Sequence, residues 1–172
     1  MADEIETARQ SVARAIACSA TCRAVVLRLR DRAYEQFGRK AISIAQYNEI
    51  DGRCDTALQN ALAMIDTATR ALGPEIDAGL SALATATDQL GAAADAIEKA
   101  GDVVALSASL LESVLAVAAA VVDPTHVSVV AAVAAVQSTI KEIIKQAASS
   151  DGAAPPNSDP ADDGAVAAKA IS

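Results

Sequence analysis

The sequence predicts an all-α protein, an elongated, Ala-rich bundle of four to five helices with coiled-coil-like packing. Three observations carry that expectation. Hydrophobic residues make up 52% of the 172-residue chain but aromatics only 2%, so a core must be built from Ala, Val, Leu and Ile, which favour close helix contact over a sheet. Apolar residues recur at steps of three and four over long stretches. One of those stretches holds a heptad repeat, the signature of helices packed lengthwise. The length fits one domain, expected over residues 1–148, followed by a disordered acidic tail over 149–172.

The first helix is expected over 3–38, opened by acidic residues and closed by Gly38. Its seam of Ile5, Ala8, Val12, Ala15, Ser19, Cys22, Val26, Leu29 and Ala33 is narrow and made largely of small residues. Tyr34, Phe37 and Tyr47 are the three aromatics; they surround the first connection and are expected to plug one end of the bundle. A second helix follows to Leu72, weakly interrupted at Asp51-Gly52, with Leu58, Leu62, Ile65 and Leu72 as its large apolar residues. Gly73-Pro74 then reads as a break, with Pro at the first position of a new helix.

Beyond the break, Ile76, Leu83, Leu90, Ile97, Val104 and Leu111 recur every seven residues. This run predicts a long helix packed at a shallow, left-handed crossing angle. Gly101-Asp102 lies inside it, but the repeat crosses that point in phase, which predicts a continuous or merely bent helix. From Val103 to Val122 the polar face shrinks to Ser107, Ser109, Glu112 and Ser113. Asp123-Pro124 reads as the N-cap and first position of a last helix that is apolar all round as far as Val136. Val114, Val117, Val121, Val129, Val133 and Val136 mark the two arms of an apolar hairpin over 103–136. Polarity returns with Gln137, Lys141, Glu142 and Lys145, the cations near the helix C-terminus. Residues 149–165 are rich in Gly, Pro, Ser and Asp and bury too little surface to order themselves; the apolar end at 166–171 reads as a frayed terminus.

Named absences argue against catalysis. With one histidine, His126, expected at a helix start, the chain cannot supply the paired ligands of a bundle di-iron site or a two-His zinc motif. No Gly-rich phosphate loop occurs, and the carboxylates show no pairing that demands a general acid and base. The expectation is a protein that is not an enzyme, with no cofactor and no small-molecule substrate. Cys18 and Cys22 stand one turn apart, and Cys54 on the next helix would complete a soft-metal site if the thiols met. The plainer reading, which is preferred, makes them small core side chains and expects no metal.

The net charge of −8 disfavours binding to nucleic acid or constitutively to anionic membrane. It is unevenly spread: residues 1–40 carry eight Arg or Lys against five Asp or Glu, and residues 41–172 carry six against seventeen. Arg23, Arg28, Arg30, Arg32, Arg39 and Lys40 therefore read as a basic face matched to the rest of the chain, with an anion or acidic-partner site as the second reading. The start lacks a secretory signal pattern, so a cytoplasmic location is the default, with secretion by another route left open; three cysteines suit a reducing interior.

These observations lead to the expectation of a helical interaction or assembly protein. It would bind a protein partner or form a homo-oligomer through the heptad seam at Ile76, Leu83, Leu90, Ile97, Val104 and Leu111. The alternative is a membrane-active protein that conditionally inserts, or forms a pore, through the 103–136 hairpin. A second alternative is an amphipathic coat on a lipid or polymer surface. Length restrains the membrane reading. The first arm is long enough to span but holds Glu112 at its centre, at a cost of roughly 2.5–3.5 kcal/mol if charged; the second has only about ten unbroken apolar residues, too few to cross.

Overall fold

The computed structural model describes residues 2–70, 76–123 and 125–151. Among them are five α-helices and no strand: α1 (Ala2–Gly38), α2 (Ile44–Arg70), α3 (Ile76–Ala93), which runs on as a 3-10 helix (Ala94–Lys99), α4 (Val103–Val122) and α5 (His126–Asp151). The all-α expectation holds. Gly73-Pro74 and nearly all of the expected tail, 152–172, lie outside the described residues; α5 itself runs three residues past the expected end of the bundle at 148.

Local chemistry explains the ends. Lys40 takes the left-handed conformation, φ 59°, and the Ala41 and Lys40 N–H groups reach back to the Gln36 and Phe37 carbonyls, both at 2.9 Å. α1 ends at Gly38 as expected, and the turn beyond it is a Schellman closure with Lys40 in the left-handed position. Ser43 then opens α2 with a reciprocal capping box. Its Oγ accepts the Gln46 N–H at 3.2 Å, and Gln46 Oε1 accepts the Ser43 N–H at 2.9 Å.

The expected interruption at Asp51-Gly52 is absent, and α2 passes through it unbroken. A Cβ at Gly52 would meet nothing within 4 Å. Gly52→Ala is therefore expected to stabilise the fold by about 0.5–1 kcal/mol, read as a higher urea midpoint at unchanged slope.

Cross-helix contacts fix the directions. Ser19 Oγ donates to the Ala61 carbonyl, and Arg30 pairs with Asp51 and Asp55, so α1 and α2 are antiparallel. Thr87 contacts Cys18, Asp95 pairs with Arg28, and Ala100 accepts from Arg32, so α3 runs parallel to α1. Ser109 meets Thr139 and Ser113 meets Ala135, which makes α4 and α5 an antiparallel hairpin. The helices close a ring in the order α1, α2, α4, α5, α3, with α1 also touching α4 across the middle.

The chain between α3 and α4 corrects the expectation of one continuous helix. The α-helix tightens to 3-10 at Ala94, Ala100 is extended with ψ 128°, and Asp102 caps α4 by accepting the Ala105 N–H at 3.0 Å. A capping aspartate after a glycine ends one helix and begins another. The heptad phase survives because α4 turns back into the same core, where Ile97 and Val103 are both buried on either side of the turn.

That core corrects a further expectation. Leu83, Leu90, Ile97 and Leu111 are fully buried and Val104 packs half-buried against them; the side chain of Ile76 is outside the described set. From Leu83 to Leu111 the heptad seam is thus covered within one chain and is not a free surface. In α2 the inward stripe is Ile50, Cys54, Ala57, Ala61 and Met64, while Leu62 is exposed and Leu58 and Ile65 are half-buried. Small side chains let α2 approach α1 closely enough for the Ser19 hydroxyl to reach a backbone carbonyl, a contact a leucine stripe would prevent. The aromatics do cluster at the first connection, with Phe37 stacked on Tyr47 at 5.2 Å and Tyr34 edge-on at 6.2 Å.

Candidate functional site

The most unusual surface is the outer side of the α4–α5 hairpin. The tip is built by Asp123, whose N–H bonds the Ala119 carbonyl at 2.9 Å to finish α4, and by Thr125, whose Oγ1 accepts the Ser128 N–H at 3.1 Å to begin α5. Thr125, not Asp123, is the N-cap, and His126 follows it, exposed, as the first helical residue. Ser128 Oγ donates to the Asp123 carbonyl at 2.6 Å and ties the two helix ends together.

Further along, the arms are joined by hydroxyls. Ser113 Oγ and Ser109 Oγ lie 2.6 and 2.7 Å from Thr139 Oγ1, Thr139 donates to the Ser109 carbonyl at 3.0 Å, and Ser113 donates to the Ala135 carbonyl at 3.0 Å. Ser113 and Thr139 are buried, and each hydroxyl finds partners within the hairpin.

Val114, Val117, Val121, Val129 and Val136 of the expected hairpin are buried and Val133 is half-buried; they form its inner side. The outer side belongs to residues the sequence reading did not single out. Leu115, Ala119 and Val122 are exposed on α4, and Val127, Val130, Ala131 and Ala134 on α5, with Val127 at 77% and Val130 at 53% exposure. Between Glu112 and Lys141 the only ionisable side chains are Asp123 and His126, both at the tip. Both helices are also long and apolar enough to cross a membrane, α5 over His126–Ser149. The unbroken apolar run of α5 nonetheless ends at Gln137, as expected, and Lys141, Glu142 and Lys145 follow within the same helix.

The expected basic face is dispersed. Arg30 turns toward α2, with Nε 2.6 Å from Asp51 and Nη1 3.0 Å from Asp55. Arg28 pairs with Asp95, Arg32 with Glu35 at 3.0 Å, and Arg23 is exposed. Arg39 lines a cleft of about 530 Å³ with Arg28, Arg32, Asp31, Glu35 and Glu98, three cations matched by three anions, while Lys40 is held in the turn. Ion pairs within the chain account for Arg28, Arg30 and Arg32, and the cleft has no net sign with which to select an anion.

The cysteines are core residues. All three are free and fully buried, and among the described residues no group of three His, Cys, Asp or Glu side chains is arranged to hold a metal ion. Burial pushes the Cys22 and Cys54 thiols from the ordinary 9.0 up to about 12, and raises Cys18 despite a 3.4 Å hydrogen bond from Thr87. Protonated, enclosed thiols are poor metal ligands and poor nucleophiles. The native protein is expected to resist alkylation by iodoacetamide at pH 8 and to take up three equivalents on unfolding. Because these folded-state values are raised, the stability they contribute is complete below pH about 9 and is lost as pH climbs toward about 12. A urea midpoint that falls over that interval checks the sign.

Comparison with protein-family models, with curated proteins and with solved structures finds no match to this chain.

Proposed function

We propose that this protein is a non-enzymatic interaction protein whose working surface is the apolar outer face of α4 and α5 on the tip side of Glu112 and Lys141. The observation that carries this reading is the exposure of Leu115, Val122, Val127 and Val130 on helices that also have apolar inner sides. A protein partner or a second copy of the chain would cover that face and gain about 25 cal/mol for each Å² of apolar surface removed from water. With the heptad seam already buried, the α4–α5 face takes over the role the sequence reading gave to that seam. A lipid bilayer is the second reading, favoured by two helices of membrane-spanning length.

The test is Val127→Glu combined with Val130→Glu. Both positions are exposed, so folding stability is expected to change by no more than about 0.5 kcal/mol. The native chain is expected to self-associate in light scattering, or to bind vesicles or an apolar dye, and the double variant to lose that behaviour. A native chain that is monomeric and binds neither vesicle nor dye would remove the proposal.

A further inference from the structure

We infer that α4 and α5 form a self-contained hairpin that leaves the bundle and enters a lipid bilayer, turning about the connection at residues 100–102. This rests on the reading that the α4–α5 face is the working surface, and it names what that face meets.

Four observations separate a bilayer from a protein partner. The first is length: α4 has 20 residues and the stretch of α5 over His126–Ser149, apolar on average and polar toward its base, has 24, about 30 and 36 Å at 1.5 Å per residue, against a hydrocarbon core of roughly 30 Å. A docking helix needs one apolar stripe. These helices are apolar on the buried side, through Val114, Val117, Val121, Val129 and Val136, and over their tip half on the exposed side as well, through Leu115, Val122, Val127 and Val130, as a lipid-embedded segment must be.

The second is polar self-sufficiency. Ser109, Ser113 and Thr139 bond to one another and to backbone carbonyls within the hairpin, so withdrawing α1–α3 breaks none of these bonds. In hydrocarbon such interhelical hydroxyls and small residues hold helices together.

The third is a tether at one end. Arg32 Nη2 donates to the Ala100 carbonyl at 2.9 Å, and Gln36 Nε2 donates to the Ala100 and Gly101 carbonyls at 3.1 and 2.9 Å. These bonds hold the base of the hairpin to α1. Against α1–α3 its arms set apolar side chains such as Val117, Val129 and Val136, contacts that lipid chains replace without an unpaired polar group.

The fourth is polarity along the hairpin. Exposed Val122, Val127 and Val130 cluster at the tip, the part that first meets a bilayer. Exposed Lys141 and Lys145 lie toward the base, where long cationic side chains reach headgroups. Two carboxylates oppose insertion, Glu112, exposed midway along α4, and Asp123, exposed at the tip.

The experiment uses the full chain with phosphatidylcholine vesicles containing a minor fraction of phosphatidylglycerol, read by flotation and by release of trapped dye. A Cβ at position 79 would lie 3.1 Å from Val129 Cγ2, so Gly79→Cys with Val129→Cys places a disulfide that locks α5 to α3. Native protein is expected to float and release dye. The oxidised lock is expected to lose release and to regain it on reduction. Glu112→Gln is expected to raise partitioning at least tenfold, on the order of what removing a mid-helix charge allows. If the lock fails to fold, judged by its thermal melt, the Glu112→Gln arm decides alone.

Absence of flotation by native protein, release from the oxidised lock equal to native, or no gain with Glu112→Gln would each overturn the inference. If vesicles are ignored but an oligomer forms that Val127→Glu with Val130→Glu disperses, the bilayer falls and the working surface stands. If the chain ignores vesicles and is a monomer that binds no apolar dye, both fall.

Discussion

Leu90→Ala is expected to cost about 2–5 kcal/mol of folding stability and to leave the oligomeric state unchanged. Leu90 is fully buried within the single chain, in line with Leu83 and Ile97. Removing its isobutyl end sacrifices the transfer free energy of the lost carbons and leaves a cavity that the neighbours fill only in part. The same exchange at Leu62, which is half exposed, removes few contacts and is expected to stay within about 0.5 kcal/mol. Urea denaturation of the two variants, beside light scattering of each, separates a core seam from an interface seam. An interface would give Leu90→Ala a dissociated but equally stable monomer.

The pair also shows how far the sequence could be read. The heptad from Leu83 to Leu111 told correctly that these residues face a helix neighbour, because burial and periodicity are the same signal. It could not tell whose neighbour, since a turn at Gly101-Asp102 that preserves phase looks identical to a helix that continues. The capping role of Asp102 was visible only as an Asp after Gly, a pattern equally at home inside an exposed helix. In α2 the large apolar residues do not mark the inward face; the small stripe of Ala57 and Ala61 does, and it allows the Ser19–Ala61 bond.

The candidate site was half legible for a related reason. A segment apolar all round identifies itself as a hairpin of two helices but gives no moment to say which side turns inward. The valines named from sequence proved to be the inner ones, and the exposed set of Leu115, Val122, Val127 and Val130 became visible only once the ring of helices fixed the rotation of α4 and α5. The basic residues failed to form one face because α1 touches three helices. Arg30 serves α2, whereas Arg28 and Arg32 serve the α3 side.

Gln36→Leu is expected to cost about 1–3 kcal/mol, because it leaves the Gly101 carbonyl without its side-chain donor, and Arg32→Met less, because Gln36 still donates to the Ala100 carbonyl. Gln36 is buried and bridges two of those carbonyls, and Arg32 shares one of them. Leucine and methionine keep most of the side-chain volume, so the loss measures hydrogen bonding rather than a cavity. Since both donors reach Ala100, the double variant is expected to be non-additive by about 0.5–3 kcal/mol, with the second removal acting on a connection already loosened. Hydrogen exchange locates the effect. Loss of protection confined to residues near 100–105 places the clamp at the base of the hairpin, whereas uniform loss across α1–α5 would make it an ordinary part of global stability.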